Sequence, residues 1–294
     1  MAKVLFPLPD HDFDVTEVAV PWKLLVEAGH EVVFATETGA TPACDPLLLT
    51  GVLFGKLGAR PEPIAFYREL ERDPAFLSPL AWAACDATLI DSLFLAGGHA
   101  PGMKQYLGSE VVHRLTTAMF ATPKPIAAIC HGVLVAARSR RADGTSVLHG
   151  VRTTCLPKYM ERSAYLATFW RHGRYYRTYD AYVEDEVRAA LAKPEDFERG
   201  PREMSRRGTR EDDTHAFVVE DGRYLSARWP GDVAGAGAAL ERAAGMANIL
   251  GTGTTHDERI AGSFDPIIAE LRAARREGDA RALLALVERI RSAN

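Results

Sequence analysis

Short, almost uninterrupted apolar runs alternate along the chain with segments of helical spacing. The apolar runs are KVLFPLP, HEVVFATE, LIDSLFLAGG and KPIAAIC, at residues 3–9, 30–37, 89–98 and 124–130. Residues 14–28, which Gly29 follows, and residues 109–121 have the spacing of amphipathic helices. Apolar strands separated by helices are typical of βαβ units, in which helices cover both faces of a parallel sheet. The pattern therefore predicts an α/β fold with a doubly wound, mostly parallel sheet.

Two further stretches have the composition of strands. VRTTCLP, at residues 151–157, predicts another strand of the sheet. Residues 216–228 contain two strand-like runs on either side of Asp221-Gly222, a dipeptide that favours tight hairpin turns. We therefore expect a hairpin near the end of the sheet.

Two segments are too long to be simple connections between these elements. Residues 40–88 contain Pro and Gly clusters and the helical-looking PIAFYRELERD, and residues 158–212 contain KYMERSAYLATFWRHGRYYRTYDAYVEDEVRAAL. Long insertions over an α/β sheet often form the rim or lid of a site, and simple surface elaboration is the alternative. Within the second insertion, WRHGRYYRTY at residues 170–179 would form either a lid that recognises a carboxylate or carbonyl group, or the aromatic packing of a subdomain.

The last part of the chain has a different character. A polar, Gly-rich stretch begins at residue 251, and two amphipathic helical patterns follow it. These helices would pack on the parent domain or on a partner subunit. We therefore predict an α/β domain at residues 1–250 and a C-terminal helical extension at residues 251–294.

The composition is that of an ordinary globular protein, with 294 residues, 47% hydrophobic and 25% charged. The net charge is −4 and no basic stripe is visible, which argues against a nucleic acid partner. The chain has no run of 18 apolar residues, which argues against a membrane span. The N-terminal MAKVLFPLPD lacks the apolar centre of a signal peptide. We therefore expect a cytoplasmic protein without a membrane or nucleic acid partner.

The cysteines predict neither a disulfide framework nor a zinc site. Cys44, Cys85, Cys130 and Cys155 form no CxxC pair, and in a reducing compartment they should be free thiols. The DDTHAF stretch at residues 212–217 has metal-binding side chains, but no second cluster lies at ligand spacing. The sequence therefore predicts no metal site.

The run AAICHGV, at residues 127–133, places a cysteine where a strand passes abruptly into the helical HGVLVAARS. This arrangement describes a nucleophile elbow, with Cys130 at the carboxyl end of a strand, where open α/β sheets place their sites. The helix N-terminus would lower the pKa of the thiol. Gly132 allows close backbone approach, and nearby N–H groups could stabilise an oxyanion. The alternative is a small, buried apolar residue at the end of a strand.

AAICHGVLVAARS, together with LFLAGGHAPGM at residues 93–103 and a glutamate early in the first helix, resembles the ThiJ/PfpI superfamily of class I glutamine amidotransferase-like proteins. The resemblance covers about residues 3–250, and the insertions and the GGH loop are most similar to the glyoxalase III and stress-chaperone branch. It implies a flavodoxin-like sandwich, a small-molecule substrate and, as in much of the superfamily, a homodimer as a candidate assembly.

The resemblance assigns the nucleophile to Cys130 and the acidic residue beside the thiol to Glu17. A carboxyl group near a thiolate is pushed toward its protonated form and could act as acid or base. Asp14-x-x-Glu17 also fits a helix capping box, which is the alternative for this glutamate. The loop that faces the nucleophile would contain Gly97, Gly98 and His99, and His99 would either line the site or anchor the loop.

His131 resembles the histidine that follows the nucleophile in the family. In the chaperone branch an acidic residue, four positions after the proline that ends the next strand, orients this histidine. Here that proline is Pro157, so the resemblance implies a triad of Cys130, His131 and Glu161. Glutamate stands where the branch commonly has aspartate, and the alternative for Glu161 is a solvated helix face. A late His215 would suit the amidotransferase subclass, but it fits less well than the adjacent His131.

The resemblance favours a cofactor-independent cysteine enzyme of the glyoxalase III type, which converts a 2-oxoaldehyde to a 2-hydroxy acid through the Cys130 thiolate. The same site could carry out C–N hydrolysis or isonitrile hydration. Two other classes stay open. A holdase chaperone needs an exposed apolar patch, and an oxidation sensor needs an exposed thiol of low pKa.

Overall fold

The computed structural model of the protein describes residues 1–202, 207–209 and 212–251. Seven strands form one sheet, in which all neighbours are parallel except the last two of the chain. Two short strands pair in parallel beside it. The strands are β1 (Lys3–Pro7), β2 (His11–Phe13), β3 (Glu31–Thr36), β4 (Ala43–Cys44), β5 (Leu80–Ala81), β6 (Ser92–Leu95), β7 (Ile126–Ile129), β8 (Val218–Asp221) and β9 (Tyr224–Ala227).

The helices of the described residues are α1 (Val15–Glu27), α2 (Pro46–Thr50), α3 (Pro61–Leu70), α4 (Pro74–Leu77), α5 (Met103–Leu107), α6 (Glu110–Phe120), α7 (Val133–Arg138), α8 (Lys158–His172), α9 (Val183–Ala189) and α10 (Val233–Gly251). Short 3₁₀ turns lie at Trp82–Ala84, Cys130–Gly132 and Pro194–Asp196. None of the described helices is both long and apolar enough to span a bilayer.

The strand order of the main sheet is β5-β3-β1-β6-β7-β9-β8. The chain therefore winds outward from β1 through β3 to β5, returns to β6 on the other side of β1, and continues to β7 and β9. This confirms the predicted α/β class and the doubly wound, mostly parallel sheet. Sites in such sheets lie at the carboxyl ends of the strands, where the winding direction reverses. The reversal here lies between β1 and β6.

Aromatic packing holds the strands at this reversal together. Phe6 of β1 stacks on Phe94 of β6 with ring centroids 4.7 Å apart, and it tilts against Phe34 of β3 at 5.6 Å. All three rings are fully buried. Because each ring comes from a different strand, the cluster fixes the relative register of β3, β1 and β6 and aligns their carboxyl ends.

The predicted strand at residues 151–157 is wrong. This segment is extended but forms only an isolated bridge between Thr153 and Phe197. Both edges of β9 are occupied, by β7 and β8, so the segment cannot pair with that strand. The segment is held by side chains of β9 instead: the Thr154 N–H donates to Ser226 Oγ at 2.9 Å, and Thr153 Oγ1 lies 3.2 Å from the Tyr224 hydroxyl.

The other predicted elements of the described residues are present with shorter bounds. The hairpin of β8 and β9 turns at Gly222, whose φ of +60° suits glycine in a two-residue loop. The first insertion forms β4, α2 to α4 and β5, and the second forms α8 and α9. Residues Met1–Asn248 form one compact unit. Beyond Gly251, the predicted extension lies outside the described residues, and the domain boundary at residue 250 stays a prediction.

A buried ion pair before α10 offers a test of the fold. Arg228 Nε lies 2.7 Å from Asp232 Oδ2, and the two side chains are only 2% and 1% exposed. Asp232 Oδ1 also accepts a bond of 3.0 Å from the Phe217 N–H. Asp232→Ala would leave the guanidinium buried without its carboxylate, so we expect it to lower the free energy of unfolding by about 3–5 kcal/mol in urea denaturation.

The matched control is Glu220→Ala. Glu220 pairs with Arg242 at 3.9 Å while both side chains are more than half exposed, at 57% and 58%. Solvent screens such a pair, so its loss should cost less than about 1 kcal/mol. Equal effects of the two substitutions would contradict the assignment of Arg228–Asp232 as a buried structural pair.

Candidate active site

Cys130 lies at a sharp corner directly after β7. Its φ of +57° lies in the left-handed region, which costs a residue with a Cβ about 1–2 kcal/mol. The chain passes through the 3₁₀ turn Cys130–Gly132 before α7 begins at Val133. A Cβ on Gly132 would lie 2.2 Å from the carbonyl oxygen of Leu95, so only glycine lets the turn pack against the end of β6. The corner predicted from the sequence is therefore present.

Glu17 lies beside Cys130, at the first turn of α1. Its side chain is fully buried, and its Oε2 accepts a hydrogen bond of 2.9 Å from the Gly97 N–H. A Cβ on Gly97 would lie 2.5 Å from Glu17 Oε2 and 2.9 Å from the Cys130 Cβ. The carboxyl, the thiol and the Gly97 backbone therefore meet at one point, at the carboxyl ends of β6 and β7.

Only half of the predicted capping box forms. The Asp14 side chain accepts from the backbone N–H groups of Thr16 and Glu17, at 2.8 and 3.1 Å, and so caps α1. The Asp14 N–H, which a capping box would direct to Glu17, donates instead to the Gly97 carbonyl at 3.0 Å. The carboxyl of Glu17 is thus directed toward the site. Since the Gly97 N–H bonds to that carboxyl, it is not an oxyanion donor in this state.

Burial raises the pKa of both the Cys130 thiol and the Glu17 carboxyl. Desolvation and the nearby Asp14 charge raise the pKa of Glu17 well above its usual range. Desolvation and the Glu17 and Asp14 charges likewise raise the pKa of Cys130. The predicted lowering of the thiol pKa by a helix N-terminus is therefore wrong, because α7 begins only at Val133 and acidic groups surround the sulfur. Burial therefore favours the protonated, neutral form of each group.

The Cys130 thiol and the Glu17 carboxyl also interact with each other. A hydrogen bond between the Cys130 thiol and the Glu17 carboxyl lowers the pKa of the carboxyl and raises that of the thiol. Yet Glu17 Oε1 is buried without a partner of strict hydrogen-bond geometry. The sulfur also lies within reach of a second acceptor.

That acceptor is His131. The distance between Cys130 Sγ and His131 Nδ1 is 3.5 Å, and burial lowers the pKa of His131 to about 3, so the ring is neutral. Its Nε2 lies 3.3 Å from Thr178 Oγ1, and this hydroxyl donates its one hydrogen to the His99 carbonyl at 2.7 Å. The Thr178 oxygen must then accept from the Nε2–H group. The lone pair of His131 is consequently on Nδ1 and faces the sulfur.

The predicted contact of Glu161 with His131 is not formed. Glu161 Oε2 accepts from the Val183 N–H at 3.0 Å, at the start of α9, and Oε1 lies 3.8 Å from the Arg177 guanidinium. The solvated-face alternative is also wrong, because Glu161 is only 2% exposed. Its burial raises the pKa of the carboxyl to about 7. Glu161 lines the same cavity as Cys130, but Thr178 is the partner of His131.

His99 both lines the site and anchors its loop. Its ring stacks on Tyr176, with centroids 4.2 Å apart, and meets the edge of Tyr175 at 4.6 Å. Its carbonyl is the acceptor of Thr178. Gly98 before it has a φ of +149°, and a Cβ there would lie 2.9 Å from the Asp14 nitrogen. The loop after β6 therefore packs between the start of α1 and the second insertion.

A cavity of about 400 Å³ opens in front of Cys130 and His131. Both insertions contribute to its wall, the first through Leu48 and Leu57 and the second through Met160. This favours the interpretation of the insertions as the rim of a site. His215 is exposed and does not line this cavity.

The sequence patterns do not single out Thr178, although it lies within the aromatic stretch at residues 170–179. A threonine hydroxyl does not act as an acid or a base, so only the position of Thr178 in the structure shows that it contacts His131. The same stretch also packs as a subdomain, with Tyr175 buried and Trp170 exposed. The other three cysteines are free thiols whose pKa burial raises. Within the described residues, no cluster of three His, Cys, Asp or Glu side chains could bind a metal ion.

The raised pKa of Glu17 predicts a pH-dependent cost in stability. Its carboxyl stays protonated in the folded protein while the unfolded chain ionises near pH 4.5, so wild-type stability falls as pH rises above that value. Glu17→Gln mimics the protonated form and keeps an acceptor for Gly97. We expect its stability relative to wild type to grow by about 1.4 kcal/mol per pH unit, up to the folded pKa.

Urea denaturation between pH 4 and pH 8 measures this effect. The exposed Glu62, on α3, provides the control substitution Glu62→Gln, which changes a surface carboxyl and should give a much smaller change of the difference with pH than Glu17→Gln. A constant difference for Glu17→Gln across this range would show that the carboxyl ionises normally in the folded protein.

Comparisons with known proteins identify relatives of this chain. Residues 8–201, more than half of the chain, match the family described as ThiJ/PfpI family-like. An uncharacterized protein of Schizosaccharomyces pombe is 31% identical over 172 residues, which cover 56% of this chain and 62% of that protein. The chain thus spans less than two thirds of that relative. Deglycase PfpI of Pyrococcus furiosus is 29% identical over 153 residues, or 51% of this chain and 74% of that protein.

The solved structure of glyoxalase III from Candida albicans has the same fold. It superimposes with a TM-score of 0.60 and 18% identity, over 82% of this chain and 97% of that chain. One sequence relative is thus described as a deglycase, and one protein of the same fold is described as a glyoxalase. The match to the family over most of the described α/β unit shows that this chain belongs to the ThiJ/PfpI family.

Proposed function

We propose that this protein is a cofactor-independent cysteine enzyme that acts on small electrophilic carbonyl compounds and converts a 2-oxoaldehyde to a 2-hydroxy acid. The observation that carries the proposal is the contact between the Cys130 thiol and the His131 Nδ1 lone pair at the cavity, with the buried Glu17 carboxyl against the same thiol. A nucleophile, a proton acceptor and a proton donor are the groups that this reaction needs. The sequence relative named as a deglycase and the structural neighbour named as a glyoxalase support the same assignment.

The first step is the addition of the thiol to the aldehyde. The sulfur of Cys130 forms a bond to the aldehyde carbon while its proton passes to His131 Nδ1, and the carbonyl oxygen takes a proton from Glu17. The product is a hemithioacetal. Because the free thiol is protonated at neutral pH, the nucleophile forms only as the proton leaves for His131.

The second step moves a proton between the two carbons. The Glu17 carboxylate left by the first step removes the proton of the former aldehyde carbon, and the neighbouring carbonyl oxygen takes a proton from His131. Glu17 protonates the resulting enediol at the second carbon, and the hydroxyl on the first carbon returns its proton to the Glu17 carboxylate as it becomes the carbonyl of a thioester of the 2-hydroxy acid. Water then attacks the thioester carbonyl, the carbon–sulfur bond breaks, and Cys130 leaves with a proton while the acid is released.

The direct test is the conversion of methylglyoxal to lactate by the purified protein without glutathione. Lactate formation that needs no added thiol supports the proposal. If the protein forms no lactate but turns over amides or isonitriles, C–N chemistry at the same cysteine would replace the proposal. Oxidation sensing is disfavoured, because Cys130 is only 5% exposed and its pKa is raised rather than lowered.

Compartment and assembly remain proposals as well. A catalytic thiol has to stay reduced, and the described cysteines are all free, which is consistent with the expected cytoplasmic compartment. The homodimer, the holdase activity and the absence of nucleic acid and membrane partners stay predictions. Sedimentation velocity of the full chain would measure the assembly.

A further inference from the structure

The cavity in front of Cys130 is much larger than methylglyoxal, a molecule of three carbons. Its volume of about 400 Å³ lies in the range of pockets that enclose drug-sized ligands, about 300–1,000 Å³. A three-carbon aldehyde bound at the sulfur would leave most of this space to water. The excess space indicates that the natural substrate carries a further group.

The wall of the cavity shows the chemistry of that group. Much of it consists of apolar side chains, among which Leu156, Met160 and Trp229 are bulky. The space exists because α8 presents small residues there, Ala164 and Ala167. Water in an apolar space lacks hydrogen-bond partners, so its replacement by an apolar group is favourable. The wall therefore suits an aryl or branched alkyl group.

The charges of the wall argue against an anionic group. Asp14 and Glu161 line the cavity, and among its described lining residues Arg207 is the only permanent cation. The Asp14 charge raises the pKa of Arg207, while burial and the Arg60 charge lower it. The two lining histidines, His99 and His131, are neutral because burial lowers the pKa of each to about 3. The wall therefore contains two carboxyl side chains and one guanidinium, a balance that disfavours a carboxylate or phosphate group.

We propose that the site selects neutral carbonyl compounds that carry an aryl or branched alkyl group beside the reactive carbonyl, in preference to three-carbon and anionic ones. The reactive part of this substrate class rests on the proposed function. The preference for a bulky, neutral group rests only on the volume, the apolar wall and the charges, so a binding experiment tests it independently of the reaction.

The binding experiment compares acetophenone, acetone and benzoate by isothermal titration with the full chain. Acetophenone should bind at least about tenfold more tightly than acetone, because an added apolar group in a hydrophobic pocket has an effect of that size, and more tightly than benzoate. Ala164→Phe fills the cavity and should weaken acetophenone binding at least about tenfold. The control is Leu166→Phe, on the same helix at an exposed position outside the cavity, and it should bind as wild type does.

Three results would overturn the preference: benzoate binding as tight as that of acetophenone, no advantage of acetophenone over acetone, or unchanged binding in Ala164→Phe. If Ala164→Phe does not fold, as judged by circular dichroism, Ala167→Phe takes its place. Ala167 also lines the cavity and lies nearly one turn further along α8.

A turnover experiment separates this preference from the proposed reaction. The ratio of kcat/KM for phenylglyoxal to that for methylglyoxal should fall at least about tenfold in Ala164→Phe, and comparison within one pair of aldehydes cancels their different intrinsic reactivity. If acetophenone binds as expected but neither aldehyde reacts, the pocket preference stands and the proposed function is wrong. If both aldehydes react and the ratio does not change, the reaction stands and the preference is wrong.

Discussion

Replacement of Cys130 by alanine is expected to abolish lactate formation from methylglyoxal, with a loss of at least about a thousandfold in kcat/KM. The proposed reaction has no path without the sulfur, because every intermediate is bound to it. The substitution removes only one buried atom, and the other groups of the site keep their own anchors, such as the bond of Glu17 to the Gly97 N–H. We therefore expect a folded, inactive protein.

Cys155→Ala is the matched control for this prediction. Cys155 is also a buried, free thiol, but it lies on the segment that packs against β9 rather than at the cavity. Its replacement makes the same chemical change at a distance from the reaction and should leave kcat/KM near the wild-type value. Unimpaired turnover in Cys130→Ala would remove the basis of the proposed function. Loss in both variants would point to packing rather than chemistry.

The second large effect is expected at Thr178. Thr178→Val keeps the shape of the side chain but removes the oxygen that accepts from His131 Nε2–H, so the ring can place its proton on Nδ1 and no longer accept from the Cys130 thiol. We expect kcat to fall about 10- to 100-fold, as for other residues that orient a catalytic histidine, with little change in KM. Thr178→Ser keeps the hydroxyl and should restore most of kcat.

Nitrogen-15 NMR of the imidazole tests the same point without activity. In wild type and in Thr178→Ser, His131 should give the signals of a neutral ring protonated on Nε2. In Thr178→Val, a mixture that includes the Nδ1–H tautomer is expected. A merely structural role of Thr178 would lower stability without moving these signals. Wild-type kcat and wild-type nitrogen signals in Thr178→Val would contradict the assignment.

Asp14 and Glu17 show which contacts a local sequence pattern can predict. The position of Asp14 before an apolar periodic stretch predicts a capped helix, and the cap is formed. The same pattern predicts a capping box, in which the Glu17 side chain would return to the Asp14 N–H. That part fails because a loop 80 residues away along the chain offers the Gly97 N–H to the carboxyl and the Gly97 carbonyl to Asp14.

The partner of His131 shows the limit more clearly. A sequence can suggest Glu161 because carboxylates commonly orient histidines and the spacing from Pro157 resembles that of the family. The structure gives Glu161 another donor, the Val183 N–H, and brings Thr178 to the ring from 47 residues away along the chain. A threonine hydroxyl becomes significant only through its place in a chain of hydrogen bonds, which no spacing along the sequence encodes.

The sequence by itself determined the α/β alternation, the corner at Cys130 and its His-Gly neighbours, because strand and helix periodicity, capping and the need for glycine at close contacts act over a few residues. Only the tertiary structure decided that the Cys130 thiol is protonated, that Thr178 rather than Glu161 contacts His131, and that the cavity is large and apolar. These properties depend on burial and on long-range contacts, since desolvation sets the pKa values and segments distant in the chain build the wall.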